Sequence, residues 1–188
     1  MNSFLMRTDA STSLNFLIYI QNIFLNQTRK THRLKYPDFK LSPSLFKSDF
    51  ENHFKTSWNE VCQTIDNDVS NDFLLGNLYY QKLFNSNEEN LQQFNEIRQS
   101  FLIWWDSLAG QFSIERSIDE QRDLLYKDLN ILFDKYHFSP NQVISVYVIY
   151  DDYVFKTRLD SPYFIVASIK TFYIHYKDLI GAIEKMLI

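Results

Sequence analysis

Apolar residues recur along this chain mostly at the three-to-four spacing of a helix, and only near the end at the alternation of a strand. Leu14, Phe16, Leu17, Ile18, Ile20, Ile23, Phe24 and Leu25 cover most of the circumference of a helix predicted over 13–27. Only Asn15, Asn22 and Asn26 form a polar strip on it. A helix apolar almost all round belongs in the middle of a bundle. Phe50, Phe54, Trp58, Val61 and Ile65 then fall at helical spacing, with Glu51, Asn52, Lys55, Asn59, Glu60 and Gln63 outside the stripe. That is a one-sided surface helix. A further helix is expected over 72–84.

The stretch from Ser86 to Tyr136 announces its structure twice. Ser86-Asn87-Glu88-Glu89 and Ser117-Ile118-Asp119-Glu120 both have the S-x-x-E form of a capping box. They open helices predicted over 87–109 and 118–137, with Gly110 placed as a left-handed C′ residue after the first. The spacing reads as a helical hairpin. Its second helix carries a main stripe (Ile118, Leu125, Leu129, Leu132, Tyr136) and a second ridge of Leu124 and Ile131. Two ridges imply two neighbours. Both neighbours most often lie inside the same bundle; where the second is a binding partner instead, Leu124 and Ile131, with Trp104 on the preceding helix, are the candidate partner surface.

The last fifty residues give conflicting signals. Val143-Ile144-Ser145-Val146-Tyr147-Val148-Ile149-Tyr150 is strand chemistry. Against it, Ser139-Pro140-Asn141-Gln142 is a capping box with Pro at N1. Ser161-Pro162 repeats that start ahead of Ile165, Ile169, Phe172, Tyr176, Ile180, Ile183 and Leu187 at helical spacing. Three glycines in the whole chain are too few for many tight hairpins, and this decides for helices. The expected fold is all-α, a bundle of six or seven helices forming a single domain over 1–188 with a basic linker at 28–41. The alternative is α+β, with a small C-terminal hairpin or sheet around 142–170.

Composition narrows the function classes. The 188 residues are 45% hydrophobic and 17% aromatic, ample for a packed core. So few glycines exclude the clustered-Gly phosphate loops of Rossmann and P-loop folds. The single cysteine, Cys62, makes no internal disulfide or thiolate zinc site, which points to a reducing, cytoplasmic compartment. Residues 10–28 carry no charge, yet Asn15, Gln21, Asn22, Asn26 and Gln27 interrupt them too often for a membrane span. Six Lys/Arg stand against two Asp in residues 1–40, so the total of −4 leaves −8 on residues 41–188.

Candidate chemistry is sparse. Arg29, Lys30, Arg33 and Lys35, interleaved with Tyr36 and Phe39, could hold phosphates and stack bases. Asp66–Asp72 lacks the Gly and the final Glu of a calcium loop. Asp49/His53, Asp134/His137 and His175/Asp178 sit at helical spacing but off the apolar stripes, as surface ion pairs do. No nucleophile motif is present, and no cofactor is implied. The expectation is a soluble, non-enzymatic protein–protein interaction module of the inhibitor, immunity or adaptor kind, whose acidic balance suits a basic partner. The alternatives are a nucleic-acid-binding regulator using residues 29–40, or a helical bundle that binds a ligand without a local motif.

Overall fold

Helix α1 (Thr12–Gln27) is buried from Ser13 to Leu25, as its all-round apolar surface requires. The computed structural model describes residues 4–28, 33–39, 41–42, 44–72, 80–139, 143–155 and 161–188. Contacts divide the chain into two compact units. One is Thr12–Ser107; the other joins the residues up to Ser11 with Leu108–Ile188.

In the first unit, α1 packs with α2 (Phe50–Asn67) and α3 (Glu88–Trp105). The predicted stripe of α2 is its buried face: Phe50, Phe54, Trp58, Val61 and Ile65 are all inside. Phe94, Ile97, Phe101 and Trp105 are the corresponding side of α3. Stacked and tilted rings join the helices, Phe24 on Phe50 at 4.0 Å and Phe16 on Phe101 at 4.8 Å. The cap of α3 falls one residue later than the S-x-x-E pattern implied. Asn87, not Ser86, is the N-cap, and its side chain accepts from the Asn90 N–H at 2.7 Å. The expected 72–84 helix is represented at its two ends by 3₁₀ turns, Val69–Asp72 and Tyr80–Leu83, and residues 73–79 lie outside the described residues.

The second unit carries a small sheet, and here the all-α expectation is corrected. Strands β1 (Met6–Asp9), β2 (Ile144–Ile149) and β3 (Phe164–Ser168) run parallel in the order β1-β2-β3. The β-branched run at 143–150 is therefore strand, as the α+β alternative held, and the helix expected over 142–159 does not form there. The sheet is not a hairpin, and its third strand comes from the N-terminus. The glycine argument failed for a physical reason. Scarce glycine counts against tight antiparallel turns, but parallel strands are joined by long crossovers that need none.

Helices accompany the sheet: α4 (Gln111–Arg116), α5 (Asp119–Lys135), α6 (Ile169–Tyr173) and α7 (Tyr176–Leu187). The single helix expected after Pro162 is thus a strand followed by two helices. Ser168 ends β3 and caps α6 by accepting from the Thr171 N–H at 3.0 Å. The two helices of the predicted hairpin, α3 and α5, fall in different units. Ser117 closes α4 rather than opening α5, and its hydroxyl donates to the Ile114 carbonyl at 2.7 Å.

The sheet has two unlike faces. Ile144, Val146, Val148, Ile165 and Ala167 form a buried apolar side. On the other side the parallel register sets Arg7 beside Ser145 and Asp9 beside Tyr147. An Arg7 guanidinium N–H donates to the Tyr147 hydroxyl at 2.8 Å.

Candidate functional site

On the polar strip of α1, Asn15 and Asn22 are buried and Asn26 is half-buried, and the last two hold the linker. Asn22 is fully buried and donates to the Tyr36 carbonyl at 2.8 Å. Asn26 donates to the carbonyls of Lys35 at 2.7 Å and Pro37 at 3.0 Å, and accepts from the Lys35 N–H at 2.9 Å. A buried amide needs such partners, and an irregular backbone segment offers them in place of a ladder. The asparagine spacing on a helix thus fixes the path of residues 35–37.

That path delivers Tyr36 to the surface beside Trp104. The Tyr36 and Trp104 rings lie 5.3 Å apart, and both pack on Tyr19, at 5.9 Å edge-on and 6.0 Å stacked. Tyr19 itself is buried. Its hydroxyl meets that of Ser100 at 3.1 Å, and burial pushes the phenol up to about 12. Burial also raises the Tyr36 phenol. Phe101 lies 5.3 Å from Tyr19 and 5.8 Å from Trp104, completing the floor.

Tyr36 is 50% exposed, Leu34 is 69% exposed and Trp104 is half-buried. Arg33 is exposed and Lys35 half-buried beside them in the chain. Here the structure unites two expectations made separately, Trp104 as a partner contact and residues 33–36 as a basic aromatic segment. Arg29 and Lys30 lie outside the described residues. Sequence reasoning named Tyr36 within the basic segment but missed that it meets Trp104, and it missed Leu34. The signal available was the strip of asparagines on an otherwise apolar helix, since buried amides must find main-chain partners.

The same unit has a concavity of 420 Å³ at the start of α3, lined by Gln81, Phe84, Asn85, Asn87, Leu91 and Phe94 among others. Asn87 is already committed to its helix cap, and the Asn85 amide donates to the carbonyls of Ser44 and Phe46 at 2.7 and 2.9 Å. These two polar side chains of its lining are thus committed to structural bonds.

In the second unit, Leu124 is 41% and Ile131 65% exposed, so the second ridge of α5 is not core. At the end of β1, Asp9 is pushed above its ordinary value, first by burial and then by the Glu115 carboxylate of α4, with Arg7 pulling the other way. Asp152 accepts from the Ser168 hydroxyl at 2.5 Å and from Lys170 at 2.9 Å, which ties the chain after β2 to the end of β3. His175 lies 3.5 Å from Asp178 on an exposed surface, and His53 and His137 are exposed. Cys62 is half-buried.

Among the described residues, no three His, Cys, Asp or Glu side chains come together as metal ligands. No described helix is long and apolar enough to cross a membrane. Comparison with protein-family models, with curated proteins and with solved structures returned no match.

Proposed function

We propose that the protein is a non-catalytic interaction module that docks another protein on the surface formed by Leu34, Tyr36 and Trp104. The observation that supports this most is the Tyr36–Trp104 pair at 5.3 Å, backed by buried Tyr19. Tyr and Trp dominate the energetic centres of protein interfaces because they bring large contact area with few torsions to freeze. Here both rings are held before any partner arrives, through Tyr19 and through the asparagine bonds to residues 35–37, so little ordering is left for binding to oppose.

The chain's acidic balance favours a basic partner, in the manner of an inhibitor or immunity protein. At this surface Arg33 and Lys35 stand with exposed Asp38 and Asp106 close by in the chain, so the local charges are mixed and the partner edge that meets them is polar rather than of one sign. Nucleic acid is the second reading, favoured by the same rings beside the same cations. The exposed Leu34 beside them speaks for protein, because phosphate and base offer an isolated aliphatic side chain little to pack against.

The test is affinity capture from native lysate, with and without nuclease, using the native chain, the Tyr36→Ala/Trp104→Ala variant and a Leu124→Glu/Ile131→Glu variant. A stoichiometric protein that survives nuclease, is lost with the aromatic variant and is kept by the α5 variant supports the reading. Capture that nuclease abolishes and that falls steeply with salt transfers the surface to nucleic acid. A protein retained equally by the aromatic variant removes the role of this surface.

A further inference from the structure

Strand β1 is an edge of the sheet, and half of its backbone is unused. The Leu5 carbonyl accepts from the Ile144 N–H at 2.9 Å. From there the parallel register turns the N–H and C=O of Arg7 and Asp9 toward β2, and those of Met6 and Thr8 toward the free side. Among the described residues, nothing bonds these outward groups of Met6 and Thr8. An open strand edge is a template for another extended backbone, and charge is a common guard against wrong pairing there.

The charges on this edge are of both signs, and they flank Thr8. Arg7 and Asp9 project from the same face of the sheet, because side chains alternate along a strand. If a second β1 is laid antiparallel with the two-fold axis at Thr8, the outward N–H of each Thr8 donates to the outward carbonyl of the other. Arg7 then stands opposite Asp9 of the second copy, and Asp9 opposite its Arg7. Directly opposed residues of an antiparallel pair share one face, where opposite charges attract. The charged side chains form a square with a carboxylate at both corners next to each cation, and like charges fall only on its diagonals. With the axis at Arg7 or at Asp9, each would instead oppose its own copy. Charge therefore selects one register.

We infer that the free edge of β1 pairs antiparallel with β1 of a second copy of this chain, about a two-fold axis at Thr8, joining two three-stranded sheets into one. Arg7 has donors for this: Nη2 alone reaches Tyr147 at 2.8 Å and Ser145 at 3.4 Å, and a guanidinium carries five N–H groups. Asp9 is short of positive charge. Burial, and then Glu115, hold its carboxyl above the ordinary value against the pull of Arg7 on its own strand. A second Arg7, directly opposite, supplies that charge. Ala10 is only 2% exposed, which ends the overlap at Asp9 on each strand. So short a contact covers far less than the roughly 1,600 Å² of a standard interface, and the dimer is weak and reversible. It goes beyond the proposed docking function, because it uses none of Leu34, Tyr36 or Trp104.

Sedimentation velocity of the full chain over a wide concentration range, with amide hydrogen exchange read residue by residue at both extremes, tests it. In the dilute chain the Met6 and Thr8 amides should exchange faster than those of Arg7 and Asp9, which bond β2. As concentration rises the chain should move toward dimer, and the Thr8 amide should slow with it. Thr8→Pro removes an N–H that bonds nothing in the single chain and should abolish the dimer. Asp9→Asn, which keeps the strand's backbone, should weaken it by about fivefold at neutral pH, and it carries the test if the proline disturbs the strand. A Thr8 amide that slows as the dimer forms, with a dimer weakened by Asp9→Asn, supports the inference. A chain that stays monomeric throughout, a dimer whose Thr8 amide exchanges as fast as in the dilute chain, or a dimer indifferent to Asp9→Asn overturns it.

Discussion

The carboxylate of Asp72 caps the helix that begins beside Ser13, 59 residues earlier in the chain. One oxygen accepts from the Thr12 N–H at 2.9 Å and the other from the Ser13 N–H at 3.0 Å, while the Ser13 hydroxyl donates to the Asp72 carbonyl at 2.5 Å. The first turn of an α-helix leaves N–H groups without intrahelical acceptors, and here an anion supplied from far along the chain satisfies two of them. Asp72→Ala should therefore lower stability by about 1–2 kcal/mol, with Asp72→Asn lying between it and the native chain. Urea denaturation with an unchanged slope would measure this. A loss below a few tenths would mean that solvent replaces the cap at no penalty.

The same logic applies at the other end of α1. Asn26 makes three hydrogen bonds to the backbone of residues 35–37, and its replacement leaves those main-chain groups to find others. Asn26→Ala should lower stability by about 1–3 kcal/mol. It should also speed trypsin cleavage after Arg33 and Lys35, because the clamp is what holds that backbone out of a protease cleft. Equal cleavage rates in variant and native chain would show that Asn22 and the ring contacts suffice.

These two anchors show what was and was not legible in the chain. The helical stripes of α1, α2 and α5 could be read because 3.6-residue periodicity is local: the predicted stripe of α2 is buried throughout, and on α5 Leu125, Leu129 and Leu132 are buried as read, with Phe133 inside where Tyr136 was expected, while on α1 the polar Asn15 and Asn22 are buried along with the apolar positions. Asp72 as a cap, and Asn22 and Asn26 as clamps, were not legible, since each acts on a segment whose proximity only the fold creates. The sheet was misjudged through glycine. The Ile144–Ile149 run carried the right β-branched signal, but its neighbours are Met6–Asp9 and Phe164–Ser168, and no local rule pairs strands so far apart. Trp104 was found as a surface aromatic. Its contact with Tyr36 was not, because Tyr36 reaches it by way of the asparagine strip.

His137 occupies the left-handed region, with φ of 51°. It closes α5 in a Schellman arrangement, the Phe138 N–H donating to the Phe133 carbonyl at 2.8 Å and the His137 N–H to that of Asp134 at 3.3 Å. A side chain at such a φ is strained where glycine is not. His137→Gly should raise stability by about 0.5–1 kcal/mol, visible as a higher melting temperature at unchanged helicity. His137→Val, β-branched at the same angle, should lower it. A neutral glycine variant would mean that the imidazole contributes a contact that offsets the strain.

Asp9 gives the pH dependence its sign. Burial, and then the Glu115 carboxylate, hold the Asp9 carboxyl above its ordinary 3.8, outweighing the Ala10 N–H and Arg7 that pull the other way. Between the ordinary value and the raised one, the folded chain keeps a proton that the unfolded chain has released. In that window stability falls as pH rises, and the loss is complete once pH passes the folded value. Asp9→Asn removes the ionisation while keeping a side chain of the same shape that can still donate toward Glu115. The variant should match the native protein in acid, where Asp9 is protonated in both states, and exceed it at neutral pH. Urea midpoints taken between about pH 3 and 8 would trace the divergence. Parallel curves across that range would show that Asp9 ionises without consequence for the fold. A variant that matches the native chain in acid and falls below it as pH rises would instead mean that the Arg7–Asp9 attraction outweighs the burial of the charge.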